Sequence, residues 1–266
     1  MSDGVDIGQM VWARQELEYR RARDEFHRFG PAVARTAAGQ PLEFELMQLS
    51  WVAHLRYAWD HSDMHAGIFT RQAPSGFMVT LAAWLAGKGE RVKMACASDQ
   101  QARLCMRAVR AVVQSEPYAR IFGEAAADGR WDDKVMVRER PGEVSEPVIE
   151  VRGIGSKPSG TATRLLFNGV VDADCSSTVE RRKAHRRLVD DVWMATLGPG
   201  GKVLWVAAPV NPDDTSYAMR ARDDFVWLEQ RARTDASGYE QEVYGAAEDY
   251  VAETGRDLVK MIGGGT

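Results

Sequence analysis

Apolar residues recur along this chain in two periods, and the alternation between them predicts an α/β protein. Leu17, Tyr19, Ala22 and Phe26 stand between alternating charges, which predicts a helix over 11–29 that stops at Gly30-Pro31. Phe44, Leu46, Met47, Leu49, Trp51, Val52, Leu55, Tyr57 and Trp59 predict a second, core-facing helix over 41–60. Gly67-Ile68-Phe69-Thr70-Arg71-Gln72 reads as a short buried strand, and Leu81-Ala82-Ala83-Trp84-Leu85-Ala86 as an apolar helix. A further strand is expected over 91–98. Ser98 or Asp99 then caps a helix over 100–114, where Ala102, Leu104, Met106, Val109 and Val113 keep helical spacing.

Strand–helix–strand–helix order implies right-handed parallel crossovers within one sheet. Val135-Met136-Val137 and Val148-Ile149-Glu150-Val151 read as a hairpin, followed by a connector carrying Gly153, Gly155, Pro158 and Gly160. Strands are expected over 164–172, 202–208 and 225–231. Ser176, Ser177 or Thr178 caps a helix over 179–196, which ends at Gly198-Pro199-Gly200-Gly201. A last helix is expected over 241–260. The chain divides into an N-terminal helical segment (1–40) and an α/β domain (41–266).

With 266 residues the chain can form one large domain or two small ones. A formal net charge of −4 gives no bulk attraction to nucleic acid and leaves only a local basic face. The three cysteines lie apart, with no CxxC and no histidine pair, which argues against a disulfide framework or zinc. No apolar run reaches the ~18 residues of a membrane span. Met1-Ser2-Asp3-Gly4 lacks the basic start of a signal peptide, so no membrane association and a cytoplasmic location are expected.

The chemistry lies between the first strand and its helix. Ala73-Pro74-Ser75-Gly76-Phe77-Met78-Val79-Thr80 reads as an eight-residue loop ending in Thr, the layout of a phosphate-binding P-loop. Val79 stands where that loop places a lysine, so the β- and γ-phosphates of a nucleotide would meet no side-chain cation.

Taken in order, this loop, the apolar strand Leu165-Leu166-Phe167-Asn168-Gly169, Gly198-Pro199-Gly200-Gly201, the strand ending at Ala208, and Pro212-Asp213-Asp214 resemble the ATPase domain of tailed-phage terminase large subunits. Ser115-Glu116-Pro117 and Phe122-Gly123 fit the same pattern, and the resemblance runs over roughly residues 40–235. It implies a P-loop NTPase-like, mostly parallel sheet flanked by helices, with ATP and Mg²⁺ as cofactors. The partners it implies are an active terminase subunit, the portal protein or double-stranded DNA, in a homo- or hetero-oligomer. The nuclease domain of such proteins is expected to lie outside these residues.

The departures fall on the functional positions. The family's loop arginine is Ser75, its lysine Val79, its metal carboxylate Asn168, its catalytic carboxylate Gly169 and its coupling threonine Ala208. The residues that would border a nucleotide are Arg71, Ala73, Pro74, Ser75, Gly76, Phe77, Met78, Val79 and Thr80, and only Thr80 keeps a metal-side group. Positioning and electrostatics supply nearly all phosphoryl-transfer catalysis, so a structural or regulatory pseudo-ATPase is expected. The alternative is a divergent packaging ATPase that uses Arg71 and residues supplied in trans.

Other polar residues have ordinary readings. Asp172, four residues past Asn168, would lie about 13 Å along an extended strand, too far to replace a metal ligand. Lys88 reads as a solvated helix-end charge. Arg181, Arg182, Lys183, Arg186 and Arg187 lie in the helix over 179–196, where they either contact DNA or form a solvated face. His54, His61 and His65 read as surface residues rather than metal ligands.

Overall fold

The structure, a computed structural model, describes residues 7–35, 39–44, 46–70, 75–124, 129–137, 147–208, 210–234 and 240–245. Its strands are β1 (His65–Phe69), β2 (Val92–Cys96), β3 (Arg130–Trp131), β4 (Val135–Val137), β5 (Pro147–Gly153), β6 (Ala162–Asn168), β7 (Leu197–Ala207), β8 (Phe225–Thr234) and β9 (Glu240–Gly245). They form one nine-stranded sheet in the order β3-β4-β5-β2-β6-β7-β1-β8-β9. The inner strands from β5 to β8 pair in parallel, and the antiparallel strands lie at the two edges.

The pleat sorts the sheet's apolar residues onto two faces. Ile68, Met94, Leu166, Leu204 and Val206 enter one core cluster; Phe69, Ala95, Leu165, Phe167, Val203 and Trp205 enter the other. The first face is covered by α1 (Ile7–Asp24), α2 (Phe26–Val33), α3 (Leu46–Arg56), α4 (Ser75–Gly87), α5 (Asp99–Val113) and α6 (Glu116–Phe122). Across the second face lie α7 (Ala173–Ser176), α8 (Val179–Arg187) with its continuation over Leu188–Trp193, and α9 (Thr215–Arg220). With helices on both faces the inner strands are largely apolar, as in parallel sheets, with charged exceptions such as Lys93 in β2, Glu150 in β5 and Arg164 in β6.

Several elements match the sequence reading closely. Ser98 caps α5, its side chain accepting from the Gln101 amide at 3.2 Å. Thr178 caps α8 in the same way, through the Arg181 amide. The 135–153 hairpin forms as β4 and β5.

Others differ. The first helix breaks at Glu25, and α2 continues through Gly30 and Pro31 to Val33. Gly30 serves packing here: a Cβ would meet the Phe44 ring at 2.7 Å. The second helix begins at Leu46, because Pro41 forms an isolated bridge to Arg35 instead. Gly198-Pro199-Gly200-Gly201 lies inside β7 as a bulge, since Ala162 pairs with Leu197 but Arg164 pairs with Lys202. Of the helix expected over 241–260, the part over 241–245 is instead strand β9, held by the β8 ladder, and the rest lies outside the described residues.

The N-terminal helices share the main core. Ala22 from α1 and Phe26, Phe29 and Val33 from α2 belong to the same cluster as α4, and Trp84 Nε1 donates to the carbonyls of Ala22 and Arg23 at 3.2 and 3.1 Å.

Candidate functional site

The C-terminal ends of β1 and β6 are where a P-loop protein places its phosphates and metal. The connection from β1 to α4 spans only residues 70–74, because α4 starts at Ser75. The expected eight-residue loop is therefore largely helix. The physical cause is the apolar run that follows Gly76. Phe77 and Met78 are fully buried, and Val79 is 5% exposed. The Phe77 ring sits among those of Phe26, Trp51 and Phe44, at centroid distances of 5.3, 5.3 and 5.8 Å. Helical geometry is what lets these residues reach the core together.

Thr80, the metal-side hydroxyl that the resemblance implies, is turned inward. Its hydroxyl lies 2.9 and 3.0 Å from the carbonyls of Gly76 and Phe77 in its own helix, so its proton is committed there. Ser75 and Gly76 are exposed at the start of α4. Arg71, Ala73 and Pro74 lie outside the described residues.

One strand away on either side of β6 are β2 and β7, and Asn168 pairs with Cys96 and Val206 in register. Asn168 is fully buried. Its Nδ2 donates to Cys105 Sγ of α5 at 3.7 Å, and its Oδ1 has no partner among the described residues. Gly169 follows with φ +59°, a left-handed backbone in which an acidic side chain would be strained by about 1 kcal/mol. Ala208, just past β7, carries no hydroxyl to sense a phosphate.

These residues do not fit ATP and Mg²⁺. A magnesium ion needs anionic oxygen donors that are open to water and phosphate. Here the strand offers one neutral, enclosed carbonyl beside a thiol. Among the described residues no group of three or more His, Cys, Asp or Glu side chains is placed to hold a metal. Beside the start of α4 lies a groove of ≈700 Å³ along α5, lined mainly by apolar and small side chains, including Val79, Leu104, Ala108 and Val112. Its lining cation, Arg35, donates through Nη1 to the carbonyls of Pro31 and Ala34, both at 2.9 Å.

The basic run on α8 is partly spent on the chain itself. Arg181 pairs with Asp174, Arg182 Nη1 donates to the Ser176 carbonyl at 2.9 Å, and Arg186 Nη2 donates to the Asp213 carbonyl at 3.4 Å. Lys183 and Arg187 are exposed and unpaired among the described residues. Asp172, read as too distant for a metal, caps α7 through the Cys175 amide at 2.8 Å. Lys88 stands 3.9 Å from Asp24 and over the Trp84 ring.

Sequence reasoning missed the buried polar groups. His185 sits inside the basic run yet is 4% exposed; Nδ1 lies 2.7 Å from Thr215 Oγ1 and Nε2 3.0 Å from the Val170 carbonyl. Burial lowers its pKa below the ordinary value. His54 corrects the surface reading: it is fully buried, with Nε2 3.0 Å from the Gly67 carbonyl, and burial lowers its pKa to about 4. The Cys96–Cys105–Asn168 cluster joins residues from three elements, which no spacing in the sequence brings together.

No family model matches the chain, and no curated protein matches it. Among solved structures the fold is similar to that of the HK97 bacteriophage large terminase, with a TM-score of 0.51 and 14% identity. That match covers 80% of this chain and 45% of the terminase, so the chain spans under half of that protein's length. No helix among the described residues is long and apolar enough to cross a membrane.

Proposed function

We propose that this chain is a homologue of the terminase large-subunit ATPase domain that no longer hydrolyses ATP and acts as a structural or regulatory subunit in phage DNA packaging. The observation that carries the reading is the fate of Asn168. The position that would hold a metal carboxylate is a neutral amide, fully buried and bonded to a thiol. Val79 and Thr80 reinforce it, because neither presents a cation or a free hydroxyl to a nucleotide.

The fold's likeness to a phage large terminase supports the packaging context. The partners that fit this reading are an active motor subunit, the portal protein or double-stranded DNA, with the host cytoplasm as the location. DNA would be met by Lys183 and Arg187, the two cations of α8 left unpaired among the described residues.

The test is phosphate release from ATP with Mg²⁺, at stoichiometric enzyme, with the purified chain alone and with double-stranded DNA. The reading expects release equal to the enzyme-free control. Release that Arg71→Ala abolishes would replace it with the divergent ATPase.

A further inference from the structure

Cys96, Cys105 and Asn168 form a compact buried group with one side reaching solvent. Cys96 ends β2 and is fully buried, directly beside Asn168 at the end of β6. Cys105 lies in the second turn of α5, is 4% exposed, and lines the groove of ≈700 Å³ beside Val79 and Leu104. The Cys96 and Cys105 thiols interact with one another at the base of this groove. Asn168 Nδ2 donates to the Cys105 sulfur at 3.7 Å.

Cys105 lines the groove while Cys96 is enclosed behind it, and this asymmetry assigns different roles to the two sulfurs. Donors aimed at a sulfur favour its thiolate, and a thiolate with access to solvent is the nucleophile of cysteine chemistry. Contacts with Cys96 and Asn168 hold the Cys105 thiol below its ordinary pKa, while the Cys105 contact and burial push the Cys96 thiol up. Cys175, the third cysteine, has its own pKa raised by burial.

We propose that Cys105 and Cys96 are a two-thiol oxidation site, in which Cys105 reacts with a small hydroperoxide reaching it through the groove and Cys96 resolves the product as a disulfide. In the first step the Cys105 thiolate attacks a peroxide oxygen and the O–O bond breaks. The leaving oxygen takes the proton that the thiol released and departs as water from hydrogen peroxide, or as an alcohol from an alkyl hydroperoxide, which leaves a sulfenic acid on Cys105. In the second step the Cys96 sulfur attacks the Cys105 sulfur, and the hydroxyl leaves as water with the Cys96 proton. Two thiols are oxidised by two electrons and one peroxide is reduced. The product ties the end of β2 to α5 along the groove wall. Asn168 is the positioning residue: the amide that stands where a metal carboxylate would be serves sulfur chemistry instead.

The experiment uses the full chain with stoichiometric hydrogen peroxide, followed by alkylation, digestion without reductant and mass spectrometry. A Cys96–Cys105 cross-linked peptide is expected, with Cys175 still alkylated. In Cys96→Ala, dimedone should trap a sulfenic acid on Cys105. In Asn168→Leu, which keeps the volume but removes the donor, oxidation of Cys105 should slow about tenfold while Cys175 reacts at its unchanged rate, an internal reference for folding. Consumption of Cys175 first, with Cys96 and Cys105 both fully alkylated in the same wild-type sample, would overturn the proposal.

Discussion

Helix α4 follows β1 and helix α5 follows β2, and both begin at the same edge of the sheet, but their first turns are built from different residues. In α5 the first turn is polar and closed on itself. Ser98 caps the Gln101 amide, and Asp99 accepts from the Gly153 amide at 3.0 Å and from Lys134 at 3.0 Å. In α4 the first turn is apolar from Phe77 onward and drives into the core. A helix N-terminus offers anion-binding amides only where the chain around it leaves room and adds cations. At α5 the Ser98 hydroxyl takes the Gln101 amide. At α4 apolar burial has moved the helix start into the segment that would otherwise cradle phosphate. On the proposed reading, packing as well as the absence of charged groups removes a nucleotide site.

The largest effect should come from the apolar turn. Phe77→Ala removes a fully buried ring from the Phe26–Phe44–Trp51 group and should destabilise by about 3–5 kcal/mol in urea melts. A cost below about 1 kcal/mol would show that α4 is not held by this burial.

Next comes the support beneath β1. His54 has a folded pKa lowered from 6.5 to about 4, so the unfolded chain takes up its proton first as pH falls. The stability this neutral histidine retains is complete above pH 6.5 and is lost progressively from pH 6.5 toward 4, by about 3 kcal/mol in all. Chemical denaturation across that window should show the slope, and His54→Gln should flatten it.

Asn168→Asp tests whether the strand end still tolerates a metal-type carboxylate. Enclosing an ionised group beside Cys105 should cost about 2 kcal/mol at neutral pH, with the loss relieved at acidic pH. Unchanged stability together with a gain of Mg²⁺ binding would mean the site remains open.

Smaller effects belong to α5 and α8. Ser98→Ala should cost about 1 kcal/mol and raise amide exchange in the first turn of α5 alone. Lys183→Glu with Arg187→Glu should move stability by less than about 0.5 kcal/mol, because both side chains are exposed. The same pair should remove any salt-sensitive binding of double-stranded DNA in a mobility-shift titration.

The frame of the fold was legible because its signals are local. Ser98 and Thr178 declare their helices through caps, and the apolar runs at 92–96, 162–168 and 202–207 declare buried parallel strands. The order of landmarks pointed to a terminase-like sheet, and the fold agrees with it. What stayed hidden is non-local. The loop reading failed over 75–80 because the pull of Phe26, Phe44 and Trp51 on Phe77 is invisible in the local pattern. Strand β9 exists because β8 offers a free edge, against a local sequence that favours helix. Asn168 and Val79 were legible as lost charges, but that Asn168 bonds Cys105 depends on the register between β2 and β6 and on the packing of α5.

The central claim is that the nucleotide site has been filled and discharged, and isothermal calorimetry of ATP with Mg²⁺ against the purified chain tests it most directly. No heat of binding at millimolar ATP is expected, and the thermal midpoint should stay where it is without nucleotide. Saturable, magnesium-dependent binding that is lost in Thr80→Ala would contradict the account and show that phosphate is still recognised at the start of α4.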